Sequence, residues 1–365
     1  MITVRGKNIF VGIVGEAVMS GNRFKKSSTI QIMRGLAIIM VVLQHSLGRF
    51  STTKLEYAVV YGLNHVDVAV FFLISGYLFE KGCERYKAKG TKDFLYGKFK
   101  SLMIPYFFWF TLIALLINCV IIIAPSVASK LEGNITSWTI KEFFINMFTY
   151  NDYYIQHLWF AYVIYVFIAI NYFLGKKAVG RCFVVTATVL CAVFYSMHMN
   201  YLLDKLSLHF MQFVFGRLIA LHLSKIKKYA KGIIISLCIV LFCFYLEAET
   251  KSGFTYLYVG NQVYAISGVC VIYGFSRLIL QTKFRNMLML LGDYSFEIYL
   301  MHTPYVSLLI PVILGGFSCN KYVSVFITSC LCVVLPIFVT KVLQSTYIGK
   351  VILGRNTNRI KTLNI

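Results

Sequence analysis

The stretch from Ile30 to Phe50, "IQIMRGLAIIMVVLQHSLGRF", decides the fold class. An α-helix crossing the hydrocarbon core of a bilayer needs about 20 mostly apolar residues. This segment supplies that length while keeping an arginine, Arg34, and a histidine, His45. Runs of similar character recur along the chain, at about 30–48, 57–79, 102–124, 158–174, 182–198, 207–223, 232–247, 262–280, 287–313 and 322–343. The fourth to sixth are short, and polar residues break the ninth. Composition agrees: 58% of the 365 residues are hydrophobic and 14% charged, and the mean hydropathy is +0.72, beyond the soluble globular range. The expectation is an all-α polytopic membrane protein with about ten transmembrane helices. Backbone polar groups in lipid are satisfied internally only by helices or closed barrels, and long apolar runs exclude the alternating strands of a barrel. An even number of crossings puts both termini on one side.

Charge gives the orientation. The formal net charge of +22 fits a nucleic-acid binder in a soluble protein, but in a polytopic one basic residues report topology. With both termini cytoplasmic, 28 of the 36 Lys and Arg fall on cytoplasmic segments and helix ends, seven of them between Lys81 and Lys100. Seven lie on the opposite side: Arg49, Lys54, Lys130, Lys141, Lys205, Lys251 and Lys321. That bias accounts for the charge without nucleic acid and adds attraction to anionic membrane lipids.

The organisation reads as one membrane domain over 29–345, with a cytoplasmic N-terminal extension at 1–28 and a cytoplasmic C-terminal tail at 346–365. The extension's apolar patch is interrupted by Glu16, too weak for a span and poorly formed as a cleaved signal, and Met19 offers a second start. Seven of the ten cysteines lie inside apolar spans, and no CxxC or Cys/His ligand spacing occurs, so neither a metal site nor a disulfide framework is expected.

The informative residues are the polar ones inside the spans. His45 follows Arg34 by eleven helical positions, a rotation about 20° past three full turns, so the two side chains share a face about 16 Å apart along the axis. Taken singly, Arg34 reads as a snorkelling cation and His45 as an interhelical hydrogen bond. Their shared face points instead to a cavity, because buried ionisable groups are costly without one. The second span, "NHVDVAVFFLISGYLFE", adds His65 and Asp67. Asp67 either orients an imidazole or pairs with a neighbouring donor, and Ser75-Gly76 reads as a small-residue contact between helices. In the ninth span, "LGDYSFEIYLMHTPY", Asp293 and Glu297 share a face, as do Tyr299 and His302. Glu297 points into the bundle as an acid, a relay or an anchor, and His302 before Thr303-Pro304 marks a bend.

The loop at about 125–157 carries Trp138, Tyr150, Tyr153, Tyr154 and His157. It reads as an aromatic belt or as a wall for a sugar acceptor. Its segment "TIKEFFINMFT" (139–149) is amphipathic and suits the interface plane. The sequon Asn134-Ile135-Thr136 carries weight only in a eukaryotic secretory setting.

Together these blocks resemble the acyltransferase 3 family of bacterial membrane acyltransferases, many of which O-acetylate surface polysaccharides. The resemblance rests on Arg34 and His45 with ten residues between them, then Val66-Asp67 with Phe71-Phe72-Leu73-Ile74-Ser75-Gly76-Tyr77. It continues with Leu158-Trp159-Phe160 and Tyr294-Ser295-Phe296-Glu297-Ile298-Tyr299-Leu300-Met301-His302. One block departs from it. Where family members commonly show paired arginines before a proline, this chain has Lys98 and Lys100 ahead of Pro105, which keep charge but lack the planar fork of arginine.

The resemblance implies a multi-pass protein of the bacterial inner membrane that moves an acyl group, most simply acetyl, from cytoplasmic acyl-CoA to a hydroxyl of a cell-surface saccharide or lipid-linked glycan. On that basis His45, Asp67 and Glu297 are expected to be catalytic. Arg34, Lys98 and Lys100 are expected to meet the coenzyme phosphates, and His157, Trp159, Tyr299 and His302 the acceptor. Acetyl-CoA is then a co-substrate, with no metal. Two other classes fit a chain of this shape: a polysaccharide polymerase or ligase, and a multi-pass transporter or flippase.

Overall fold

In a computed structural model of the chain, residues 27–48, 50–125, 137–150, 155–222, 229–250, 257–315 and 319–355 are described. The N-terminal extension up to Lys26, the sequon, Tyr153 and Tyr154, and the tail beyond Arg355 lie outside the described residues. In chain order the helices are α1 (Ser28–Gly48), α2 (Lys54–Ala88), α3 (Thr91–Ile123), α4 (Ile140–Thr149), α5 (Trp159–Leu174), α6 (Arg181–Met197) and α7 (Tyr201–His222). They continue with α8 (Tyr229–Thr250), α9 (Tyr258–Ile279), α10 (Arg285–Asp293), α11 (Ser295–Met301), α12 (Ser307–Gly315), α13 (Lys321–Leu343) and α14 (Tyr347–Ile352). No strand occurs among the described residues.

Among the described residues, six helical stretches are long and apolar enough to cross a membrane: α1, α2, α3, the segment Gln156–Val179 around α5, α9 and α13. α6 and the Lys231–Tyr245 part of α8 are apolar but shorter. α7 is long enough, but it carries Asp204, Lys205, His209 and Arg217 along its length. The ninth run is three helices rather than one. Tyr294 separates α10 from α11, and the chain leaves helical geometry at Thr303 (φ −133°, ψ 152°). Pro304 explains the second break, because its ring clashes with a helical conformation in the preceding residue and its nitrogen has no proton to donate.

Two glycine-mediated crossings set the centre of the bundle. A β-carbon at Gly76 of α2 would strike the carbonyl oxygen of Phe213 in α7, and one at Gly216 of α7 would strike that of Leu73. Reciprocally, Gly35 of α1 faces the Leu288 carbonyl of α10 and Gly292 faces that of Gln31. Small residues let helix backbones approach where lipid supplies no hydrophobic drive between them. The Ser75-Gly76 contact expected from sequence is therefore present, with Gly76 as its contact point. We predict that Gly76→Ala lowers stability by about 1–3 kcal/mol through overpacking. Gly97→Ala, whose new methyl has nothing within 4 Å, keeps or slightly raises it, since alanine is the better helix former. Thermal unfolding in detergent compares the two, and equal melting of both variants would refute the crossing.

Polar ties hold the remaining elements. Arg217 of α7 is fully buried. It donates from Nε to Glu80 Oε2 at 2.8 Å, from Nη1 to Asn171 Oδ1 at 2.9 Å and from Nη2 to the Gly175 carbonyl at 2.9 Å, which locks α2, α5 and α7 together. At the opposite face Thr53 and Glu56 form a capping box at the start of α2. The Glu56 carboxylate also takes Lys321 Nζ at 2.6 Å and Tyr322 Oη at 2.9 Å from the start of α13. α4 is capped in the same way by Thr139 and Glu142, whose carboxyl the Thr139 amide and hydroxyl hold below its usual pKa. Ile140, Phe144, Ile145 and Phe148 of α4 are exposed and Met147 is buried, the two-sided pattern of a helix lying at an interface.

Candidate active site

The helices line a partly open cavity of about 790 Å³, and its wall contains both Arg34 and His45. The shared face of α1 is thus the face turned to the cavity.

At one end lie Arg34, Lys98, Ser101 and Ser295. Arg34 Nη2 donates to Ser295 Oγ at 2.9 Å, and that hydroxyl donates in turn to the Gly292 carbonyl at 3.0 Å. The tight turn between α10 and α11 therefore aims the guanidinium. Lys98 Nζ lies 5.6 Å from the centre of the Tyr86 ring, which also borders the cavity. Lys100 is not in the wall. Two helical residues turn a side chain by about 200°, and its ammonium sits 4.2 Å from the Tyr96 ring on another face of α3.

The middle of the cavity holds three imidazoles. The His45 and His302 rings are 5.1 Å apart between centroids, and His157 lies 5.9 Å from His302. Tyr299 joins them, 6.3 Å from His157, with its phenol oxygen accepting from the Ala161 amide at 3.3 Å. Segments distant in sequence, α1, the turn before α5 and the end of α11, meet here.

The other end combines charge with aromatic faces. Asp67 is fully buried. Its Oδ1 accepts from the Val68 amide at 2.5 Å, while Oδ2 has no hydrogen-bond partner among the described residues. The opposite charge acting on it is Lys205. Lys205 Nζ lies 5.2 Å from the Trp159 ring and 5.1 Å from that of Tyr201, and the indole stacks 5.0 Å from His209. All five line the cavity, with Asn261. Lys205, His209, Tyr201 and Asn261 were not singled out from sequence. The available signal was spacing: Lys205, His209 and Gln212 are four and three residues apart, one polar stripe along α7.

Glu297 lies outside the cavity wall. Its Oε1 accepts from Arg355 Nε at 2.5 Å, while Arg355 Nη1 donates to Gln344 at 2.9 Å and its guanidinium stacks 4.8 Å from Tyr294. Of the ten residues singled out from sequence, eight line the cavity, and Lys100 and Glu297 do not. No cluster of three or more His, Cys, Asp or Glu suited to a metal ion occurs among the described residues.

An elongated cavity with guanidinium and ammonium groups at one end, imidazoles at mid-length and an aromatic, charged far end suits group transfer between two ligands. Comparison with protein-family models gives a match over residues 28–342 to the one described as an acyltransferase domain. Among curated proteins and among solved structures nothing matches. The matched span runs from the first residue of α1 almost to the end of α13 and takes in every residue of the cavity wall, and on that match this membrane protein belongs to the acyltransferase 3 family.

Proposed function

We propose that the protein is an O-acyltransferase that moves an acyl group, most simply acetyl, from cytoplasmic acyl-CoA to a hydroxyl of a cell-surface saccharide or lipid-linked glycan. In this reading it crosses the bacterial inner membrane ten times with both termini cytoplasmic, the broken ninth segment and the shorter helices included. The observation that carries the proposal is the joining of Arg34, His45 and the Trp159–Lys205 end in one cavity.

Coenzyme A carries several phosphate charges, and Arg34 and Lys98 at the cytoplasmic end meet them through charge-assisted contacts. The thioester then reaches along α1 towards His45. There the imidazole takes the proton of the acceptor hydroxyl as its oxygen attacks the thioester carbonyl. Collapse of the tetrahedral intermediate expels the coenzyme thiolate. The Trp159 and Tyr201 faces suit the apolar face of a sugar ring, and Asp67 and Lys205 its hydroxyls. His157 and Tyr299 border the reacting centre.

The proposed role of Glu297 is to position α11, which carries Ser295, Tyr299 and His302, by clasping Arg355. Arg355→Ala is expected to lower stability by about 1.5–3 kcal/mol, the range for a hydrogen bond to a charged group, and towards the lower figure because the side chain is 23% exposed. Glu297→Gln should cost a similar amount, and the double variant should cost less than the two together. Additive losses in a thermal-unfolding cycle would contradict the clasp.

The reaction is tested by supplying membranes that contain the protein with labelled acetyl-CoA. Label passing to the saccharide fraction supports acyl transfer. A polymerase or ligase working on lipid-linked glycans, or a transporter, passes none.

A further inference from the structure

His302 is fully buried, and it lines the cavity beside His45. Its Nδ1 lies 3.0 Å from the Ile298 carbonyl oxygen and 2.9 Å from that of Tyr299. Carbonyl oxygens only accept, so Nδ1 carries the proton, and in the neutral ring Nε2 is then a bare lone pair. Nε2 is buried and has no hydrogen-bond partner among the described residues. A buried acceptor left unsatisfied costs about 1–3 kcal/mol. A helix bend alone does not require that cost, since any apolar side chain would fill the same place.

The ring is held by its surroundings. The Ile298 carbonyl also accepts the His302 backbone amide, the chain leaves helical geometry one residue later at Thr303, and the Cys332 thiol of α13 donates to the His302 carbonyl at 3.5 Å. The His45 ring stands 5.1 Å away, tilted by 56°.

Seven helical residues put His302 about 10 Å beyond Ser295, whereas eleven put His45 about 16 Å beyond Arg34. Because Arg34 and Ser295 are hydrogen-bonded to each other, both imidazoles lie beyond that contact on the same side, with their rings 5.1 Å apart.

We propose that His302 is a second catalytic imidazole, carrying the proton that His45 removes from the acceptor hydroxyl to the sulfur of the departing coenzyme. The proposal rests on the acyl-transfer reading and adds a route for its proton. The hydroxyl O–H bond breaks as the O–C bond forms, and His45 takes the proton. The C–S bond then breaks, with its electron pair leaving on sulfur. The proton moves from His45 to Nε2 of His302 and from there to the thiolate, so that both imidazoles end neutral and the products are the ester and free coenzyme A. While His302 is briefly cationic, its Nδ1–H already points at two carbonyl dipoles, which stabilise that charge.

Replacement by asparagine separates this role from a structural one. The amide nitrogen of His302→Asn falls close to the place of Nδ1 and keeps the bond to the carbonyls, but nothing replaces Nε2. Labelled acetyl-CoA supplied to membranes holding equal amounts of each variant gives the readout. Water can carry the proton less well, so His302→Asn is expected to transfer about a hundredfold less label than wild type, the low end for a positioned acid–base group. Free imidazole should raise His302→Ala about tenfold while leaving His302→Asn, whose side chain fills the space, unchanged. An asparagine variant within threefold of wild type, or an alanine variant that imidazole does not raise, would overturn the proposal. A wild-type protein that passes no label would remove the acyl-transfer reading itself, a result distinct from either.

Discussion

Replacing His45 by alanine lowers acyl transfer by about a thousandfold, within the 10²–10⁴ range that a positioned acid–base group contributes. The expectation comes from where the ring sits. It lines the cavity at mid-length, beyond the reach of the cationic end and in ring contact with His302, so it is the first titratable group the acceptor hydroxyl meets near a thioester extended from Arg34. His45→Gln keeps a polar group of similar reach but no basic nitrogen, and should be as inactive as His45→Ala. The KM for acetyl-CoA should hold in both variants, because the proposed donor site is at the other end. A fall in kcat with unchanged donor KM marks an interaction made in the transition state. A glutamine variant near wild-type activity would assign His45 to the packing of α1 against its neighbours.

The second large effect is at Arg34. Arg34→Ala removes a guanidinium whose charge-assisted contact is worth about 1.5–3 kcal/mol, roughly ten- to hundredfold in kcat/KM. The loss should appear mainly as a raised KM for acetyl-CoA and leave acceptor dependence unaltered. Arg34→Lys keeps the charge without the planar fork and should recover part of the loss. Ser295→Ala, which removes the hydroxyl that aims the guanidinium at 2.9 Å, should have a smaller effect in the same direction. If Arg34 merely snorkelled to headgroups, all three variants would keep the wild-type KM.

Much of this arrangement was legible in the sequence because membrane helices obey one strong rule. Apolar length announces a crossing, and a costly polar residue inside it announces a cavity or a partner. Arg34 and His45 were readable as a pair because both lie on one uninterrupted helix, where spacing alone fixes the face. Gly76 was readable as a contact for the same local reason. What could not be read was anything set by two helices meeting. The Glu297–Arg355 clasp joins residues 58 positions apart, and nothing in the ninth segment announces that its acid turns away from the cavity towards the end of the chain. Lys98 and Lys100 looked equivalent in the sequence, and only the rotation of α3 separates them. The ninth segment was expected as one interrupted crossing. The physical reasons for its division are the close approach of Gly292 to α1 and the proline after Thr303. Lys205 stood out only as an outer-side cation until α7 placed it over Trp159.

The central claim is that one cavity links a coenzyme end to a saccharide end through His45. Mass spectrometry of the cell-surface glycan tests it most directly, in cells making the wild-type protein, cells making equal amounts of His45→Ala, and cells lacking the gene. The account predicts one acyl unit more on the modified sugar in the first than in the other two, which should match each other. Identical glycan masses in all three would contradict it.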